Sequence, residues 1–215
     1  ALITDPRARE AALLEEYGVV ANPVYVNVKG NLTLQCTDGT QLDLREGTPV
    51  AVSASMIDQI SCIGNIRAVM TVENLTTFHS MDENGHLVLY AGGYHNRSLQ
   101  KLLQKLRACC PEAAFFHFGD IDPDGFMILE HLKEKTGLKI LPYRMGIAEL
   151  DMYRNSCRKL APQDVKKAKS LLDREQYTDV IRYMLENDIK LEQEAIISRQ
   201  YSASTSHTAY PRIPA

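Results

Sequence analysis

The sequence predicts an α/β protein: a mostly parallel four-stranded sheet with flanking helices, a small N-terminal β appendage and C-terminal helices. Two observations carry that expectation. Between residues 66 and 143, short apolar runs rich in β-branched and aromatic residues alternate with segments of helical spacing. Such alternation implies βαβ units, and hence parallel strands joined by crossover helices. The run FFHFGDIDPDG at 115–125 adds a site to the fold, because its apolar strand ends in three alternate carboxylates, Asp120, Asp122 and Asp124.

The elements follow in order. REAALLEEYGV near the N-terminus has helical spacing and ends before Ala21-Asn22-Pro23. VYVNV, LTLQC and QLDL read as short strands, separated by turns at Lys29-Gly30-Asn31 and Asp38-Gly39. ASMIDQI reads as a helical turn before the next strand. IRAVMTV is then a strand and LTTFHSM a helix; HLVLYAGG is a strand and SLQKLLQKLRACC an amphipathic helix. AAFFHFGD, the helix GFMILEHLKEKTG and the strand LKILPYR complete the alternation. Pro162 opens a helix over 163–173, and a second is predicted over 177–197. The expected division is an appendage at 1–65, a core at 66–146, a helical extension at 147–200 and a disordered Ser/Thr/Pro-rich tail at 201–215.

Composition narrows the function classes. A net charge of −3 argues against a uniformly basic nucleic-acid coat, but leaves room for an enzyme meeting phosphate through a cation and local basic residues. Five cysteines without CxxC spacing fit a reduced, cytoplasmic protein and argue against a zinc site. No apolar stretch reaches the length of a membrane span, so no membrane partner is expected. The chain opens on Ala1 rather than Met, as expected of a piece of a longer protein with an N-terminal partner domain.

Carboxylates crowded at a strand end repel one another unless protons or a cation compensate, and hard oxygen donors suit Mg²⁺ or Mn²⁺. Glu73 closes IRAVMTV and so lies at another strand's carboxyl end. In a doubly wound sheet, Glu73 and the aspartates project into one crevice. That donor set is expected for metal-assisted phosphoryl chemistry, with the aspartates holding the cation and Glu73 ligating it or moving protons. Three other readings stay open. An EF-hand loop would need glutamate at its twelfth position, where His131 stands, and a helix before it. A haloacid-dehalogenase-type phosphatase also uses Asp-x-Asp after a strand. The acids could also form only a solvated turn.

Val72-Glu73-Asn74, Gly92-Gly93-Tyr94 and Gly119-Asp120-Ile121-Asp122-Pro123-Asp124-Gly125, in this order and spacing, resemble a Toprim domain, a Rossmann-like fold of topoisomerases, primases and nucleases. More narrowly, VENLTTFHS, LVLYAGGYHNRSLQKLL and FHFGDIDPDGFMIL resemble the C-terminal part of the JetD family. JetD proteins are nuclease subunits of Wadjet anti-plasmid defence systems, similar to the A subunit of topoisomerase VI. The resemblance implies a Mg²⁺- or Mn²⁺-dependent DNA endonuclease with an acidic triad at Glu73, Asp120 and Asp122, and Asp124 as a further metal ligand. It also implies a homodimer delivered to DNA by a condensin-like SMC complex, JetABC. No tyrosine matches the topoisomerase nucleophile's context, so hydrolysis by an activated water is expected. A non-catalytic DNA-binding or assembly module is the alternative from a different class.

Tyr94, His95, Asn96 and Arg97 follow Gly92-Gly93 at the same sheet end, where they could contact DNA. Lys101, Lys105 and Arg107 form a basic helix side, and Lys166, Lys167 and Lys169 another; such faces are usually only solvated, but either could supply salt-sensitive phosphate contacts, with Lys101 joining Tyr94, His95 and Arg97 as a DNA-contact candidate. His117, inside an apolar strand, reads as a core histidine. The acidic stretch 186–194 reads as a region that DNA avoids.

Overall fold

A computed structural model describes residues 24–44, 47–63, 66–81, 86–93 and 97–197, together with Leu13, Glu16 and Tyr17. Apart from those three residues, the N-terminal helix falls outside the described residues, as do Tyr94, His95 and the 201–215 tail.

Four parallel strands form the centre: β6 (Ala68–Val72), β7 (Leu87–Tyr90), β8 (Ala114–Phe118) and β9 (Ile140–Pro142). Every residue of β6 is buried, as expected of a strand covered on both faces. Helices α2 (Leu75–Ser80), α3 (Arg97–Cys109) and α4 (Pro123–Thr136) make the crossovers. In α3, Leu99, Leu102, Leu103 and Leu106 recur at helical spacing and are all buried. The strand order is β7-β6-β8-β9. The chain therefore leaves β6 toward β7 and returns to its other side with β8. The topological switch point lies between the carboxyl ends of β6 and β8, where open α/β sheets bind ligands.

The N-terminal strands do not stay together as one β-hairpin appendage. β1 (Tyr25–Lys29) pairs antiparallel with both β4 (Val50–Ser53) and β7, which extends the central sheet to six strands. β2 (Leu32–Cys36) instead joins β3 (Gln41–Leu44) and β5 (Ile60–Ile63) in a separate sheet. Lys29-Gly30-Asn31 is thus a passage between sheets rather than a hairpin turn. Two contacts explain it. Lys29 is buried, and its ammonium donates to the carbonyls of His79 and Met81 at the end of α2, where the helix dipole favours a cation. Gly30 has φ 137°, and a Cβ there would stand 2.5 Å from the His86 carbonyl oxygen. Gly30→Ala should therefore lower stability by about 1 kcal/mol or more, measurable by denaturant titration.

ASMIDQ forms helix α1 (Ala54–Gln59), capped by Ser53, before β5. Beyond β9 lie α5 (Ile147–Met152), α6 (Pro162–Leu171) and α7 (Thr178–Asn187). The helix expected over 177–197 is broken. Asp188 takes a left-handed conformation (φ 52°), and residues 190–191 form bridges to Arg158 and Ile121 before helical residues 193–197. Asn-Asp tolerates that left-handed turn as most residues do not. The break redirects the chain toward the carboxyl end of the sheet. One continuous core joins these parts, from Val26 and Leu34 through Phe118 and Phe126 to Tyr177 and Ile196.

Candidate metal centre

The two strand ends at the switch point are tied together by backbone. The Glu73 N–H donates to the Phe118 carbonyl at 3.0 Å, and the Asp120 N–H donates to the Glu73 carboxylate. Glu73 Oε2 is buried and has no hydrogen-bond partner. Gly119 makes room for it: a Cβ there would meet Glu73 Oε2 at 2.7 Å and His117 Nε2 at 2.8 Å. His117 is fully buried and its Nδ1 lies 2.9 Å from Thr71 Oγ1, in keeping with a core histidine. Gly125 is equally constrained, since a Cβ would stand 2.3 Å from the Asp120 carbonyl oxygen and force the acidic turn away from α4.

The three aspartates occupy different surroundings. Asp120 Oδ1 accepts the Gln193 N–H at 2.7 Å. Asp122 is the N-cap of α4, its Oδ1 accepting the Gly125 N–H at 2.8 Å, and Pro123 fills the first helical position. Asp122 Oδ2 lies 3.7 Å from Lys190 Nζ. Both oxygens of Asp124 accept from Lys167 Nζ, at 2.7 and 2.6 Å. Of the expected metal ligands, Glu73 lies beside the Asp120 backbone at the neighbouring strand end, Asp122 caps the adjoining helix, and Asp124 is ion-paired with Lys167. Among the residues considered for DNA contact, Arg97 is exposed in the first turn of α3. Lys101 forms an ion pair with Asp58, and Lys105 donates to the carbonyls of Asp58 and Ile60, so both lysines support α1.

Residues beyond the break at Asp188 complete the site. Gln193, with no exposed surface, donates from Nε2 to the Phe118 carbonyl at 2.8 Å and accepts the Asn74 N–H at 2.9 Å. Together with its N–H on Asp120, it clasps the ends of β6 and β8 to the aspartate turn. Glu192 and Glu194, on either side of it, bring carboxylate oxygens to Asp120, the three lying within 4.8 Å of one another. Asn74 holds Glu194 by its side-chain amide. The acidic run that read as a stretch DNA avoids thus lends two carboxylates to the site. Gln193→Ala should loosen the clasp and weaken Mn²⁺ binding by about 10- to 100-fold in a calorimetric titration, the usual cost of losing an outer-shell support.

Electrostatics agree with the geometry. Burial, followed by the charge of Asp120, pushes the Glu73 carboxyl from 4.5 up to about 7. Burial raises Asp120 from 3.8 to about 6, against the opposing Gln193 N–H, with Asp122, Glu192 and Glu194 adding to the rise. Asp122 is also raised by burial, partly offset by the Gly125 N–H and Lys190. A buried carboxylate oxygen without a partner, a cradle that a Cβ would fill, and hard oxygen donors all fit a divalent cation such as Mg²⁺ or Mn²⁺ held by Glu73 and Asp120.

Residues 27–204 match the family described as Wadjet protein JetD, C-terminal. The chain belongs to that family. The Wadjet protein JetD of Bacillus cereus (strain Q1) is 25% identical over 201 residues, an overlap covering 86% of this chain and 47% of the relative. The chain thus spans about half the length of that JetD protein. All the residues placed at the centre here, from Glu73 to Glu194, lie within the JetD C-terminal match. No helix among the described residues is long and apolar enough to cross a membrane.

Proposed function

We propose that this chain is the catalytic part of a JetD-like Wadjet defence protein, a Mg²⁺- or Mn²⁺-dependent endonuclease that hydrolyses the DNA backbone. The observation that carries the reading is the meeting of Glu73 and Asp120 at the switch point, with Glu73 Oε2 buried and unpartnered. A divalent cation bound there would lower the pKa of a water and offset charge on the phosphoryl oxygens. The chain's own groups supply the rest. Asp120 is held by the Gln193 N–H on Oδ1, which fixes the carboxylate ahead of any ligand. Glu73 ligates the cation or exchanges a proton with the attacking water or the departing hydroxyl. Arg97, exposed at the start of α3, offers a salt-sensitive phosphate contact.

The family likeness extends the reading to a cytoplasmic homodimer, each protomer cutting one strand, delivered to plasmid DNA by an SMC-type complex. Supercoiled plasmid incubated with the purified chain and Mn²⁺ or Mg²⁺ tests the chemistry. Nicking or linearisation that is lost with EDTA and in Glu73→Ala and Asp120→Ala is the expected result. DNA binding without metal-dependent cutting would favour an assembly module. Turnover of small phosphomonoesters without cutting would favour a phosphatase.

A further inference from the structure

The alternate aspartates look equivalent in sequence, yet their countercharges differ. Among the described residues, no lysine or arginine pairs with Glu73 or Asp120, whereas Asp122 and Asp124 each face an ammonium group. Lys190 is held firmly. Its side chain is 20% exposed, its Nζ lies 2.9 Å from Asp164 Oδ2, and Asp164 is itself 3% exposed. Asp164 Oδ2 also accepts the Ala161 N–H at 2.8 Å, capping α6. The Lys190 backbone is fixed on both sides, exchanging two 2.8 Å hydrogen bonds with Arg158. Leu191 pairs with Ile121, within the aspartate turn itself. Lys190 therefore reaches Asp122 from a rigid support. Lys167 engages both oxygens of Asp124.

We propose that the centre takes one divalent cation, at Glu73 and Asp120, and that Lys190 and Lys167 occupy the electrostatic place a second would need at Asp122 and Asp124. This rests on the metal-dependent reading above. A second dication on Asp122 would stand close to a fixed ammonium, and like charges repel strongly where water is scarce. Swinging Lys190 aside would leave Asp164 buried without its partner, which is costly. Mg²⁺ further demands a near-octahedral oxygen shell, and one oxygen of Asp122 is already committed to the α4 cap. In two-metal sites the second ion clamps phosphoryl charge; here the Lys190 ammonium provides a permanent positive charge beside the first.

Calorimetric titration with Mn²⁺ alone, with bound metal counted by elemental analysis after gel filtration, tests this without recourse to activity. The expected result is one ion per chain. It should be lost in Asp120→Asn and kept in Asp122→Asn with affinity changed by less than about tenfold, below the usual effect of losing a metal's support. Asparagine caps helices as well as aspartate, so Asp122→Asn should keep α4 intact. Lys190→Met combined with Asp164→Asn removes the buried pair without stranding Asp164, leaves Asp122 without its ammonium, and should admit a second ion that binds through Asp122. Two ions in the unaltered chain, loss of the ion in Asp122→Asn, or no second ion in the double variant overturns the proposal and leaves the nuclease reading standing. No ion bound by the unaltered chain would overturn both.

Discussion

Glu73→Gln is expected to lower metal-dependent DNA cutting by about a thousandfold and, in the metal-free protein at pH 8, to raise the thermal midpoint. The opposite signs share one cause. Glu73 titrates at about 7 in the folded chain against an ordinary 4.5, and Asp120 at about 6 against 3.8. Below about pH 3 both groups are largely protonated in the folded and unfolded chains alike and cost nothing. As pH rises toward 7, the unfolded chain releases protons that the folded chain retains, so stability falls through that window. Above it, the folded chain carries two buried, mutually repelling carboxylates. A neutral amide at position 73 removes that burden, a gain on the order of 1–3 kcal/mol. For a chain of this size that is about 2 to 12 °C. Thermal melts from pH 4 to 8, with EDTA and with Mn²⁺, check the sign. The unaltered protein should weaken with rising pH in EDTA and recover with metal, whereas Glu73→Gln should weaken less, through Asp120 alone, and recover less. A Glu73→Gln protein less stable than the unaltered one at pH 8 would mean that the carboxylate is not strained in the fold.

Gly119→Ala should be the second most damaging change, although it touches no charge. The backbone conformation at Gly119 does not itself demand glycine, because its φ lies outside the left-handed range. The added methyl would collide with Glu73 Oε2 and His117 Nε2, and both must move. Glu73 would be driven out of register with Asp120, and the buried hydrogen bond between His117 and Thr71 would be strained. Mn²⁺ affinity should fall by at least about tenfold while far-ultraviolet circular dichroism stays close to that of the unaltered chain. Metal binding within twofold of the unaltered chain would mean that the Gly119 cradle is not needed to shape the site.

The parts of this arrangement that sequence made legible are those written in local pattern. Glu73 and Asp120 each follow an apolar run, so their place at strand ends, and the four parallel strands behind them, are written in the sequence. The passage at Lys29-Gly30-Asn31 resembled a hairpin because a Lys-Gly-Asn stretch between two strands carries that turn signal. Only the burial of Lys29 against α2 and the close approach of Gly30 to His86 send β1 and β2 into different sheets. Lys190 and Gln193 were hidden for a related reason. Residues 177–197 keep apolar residues at helical intervals, and the left-handed turn at Asp188 interrupts them without glycine or proline. The Asn187-Asp188 pair was the one available signal. Gln193 gave none, since a buried clasp and a solvated glutamine read alike. The pairing of Asp124 with Lys167 joins elements distant in sequence and has no local signature.

Anomalous diffraction at the manganese edge from crystals grown at pH 8 with Mn²⁺ tests the central claim most directly. The account predicts one strong peak at coordination distance from carboxylate oxygens of Glu73 and Asp120, with Lys190 still against Asp122. A peak seated on Asp122 and Asp124 with Glu73 turned away, or no peak at the ends of β6 and β8, would contradict it.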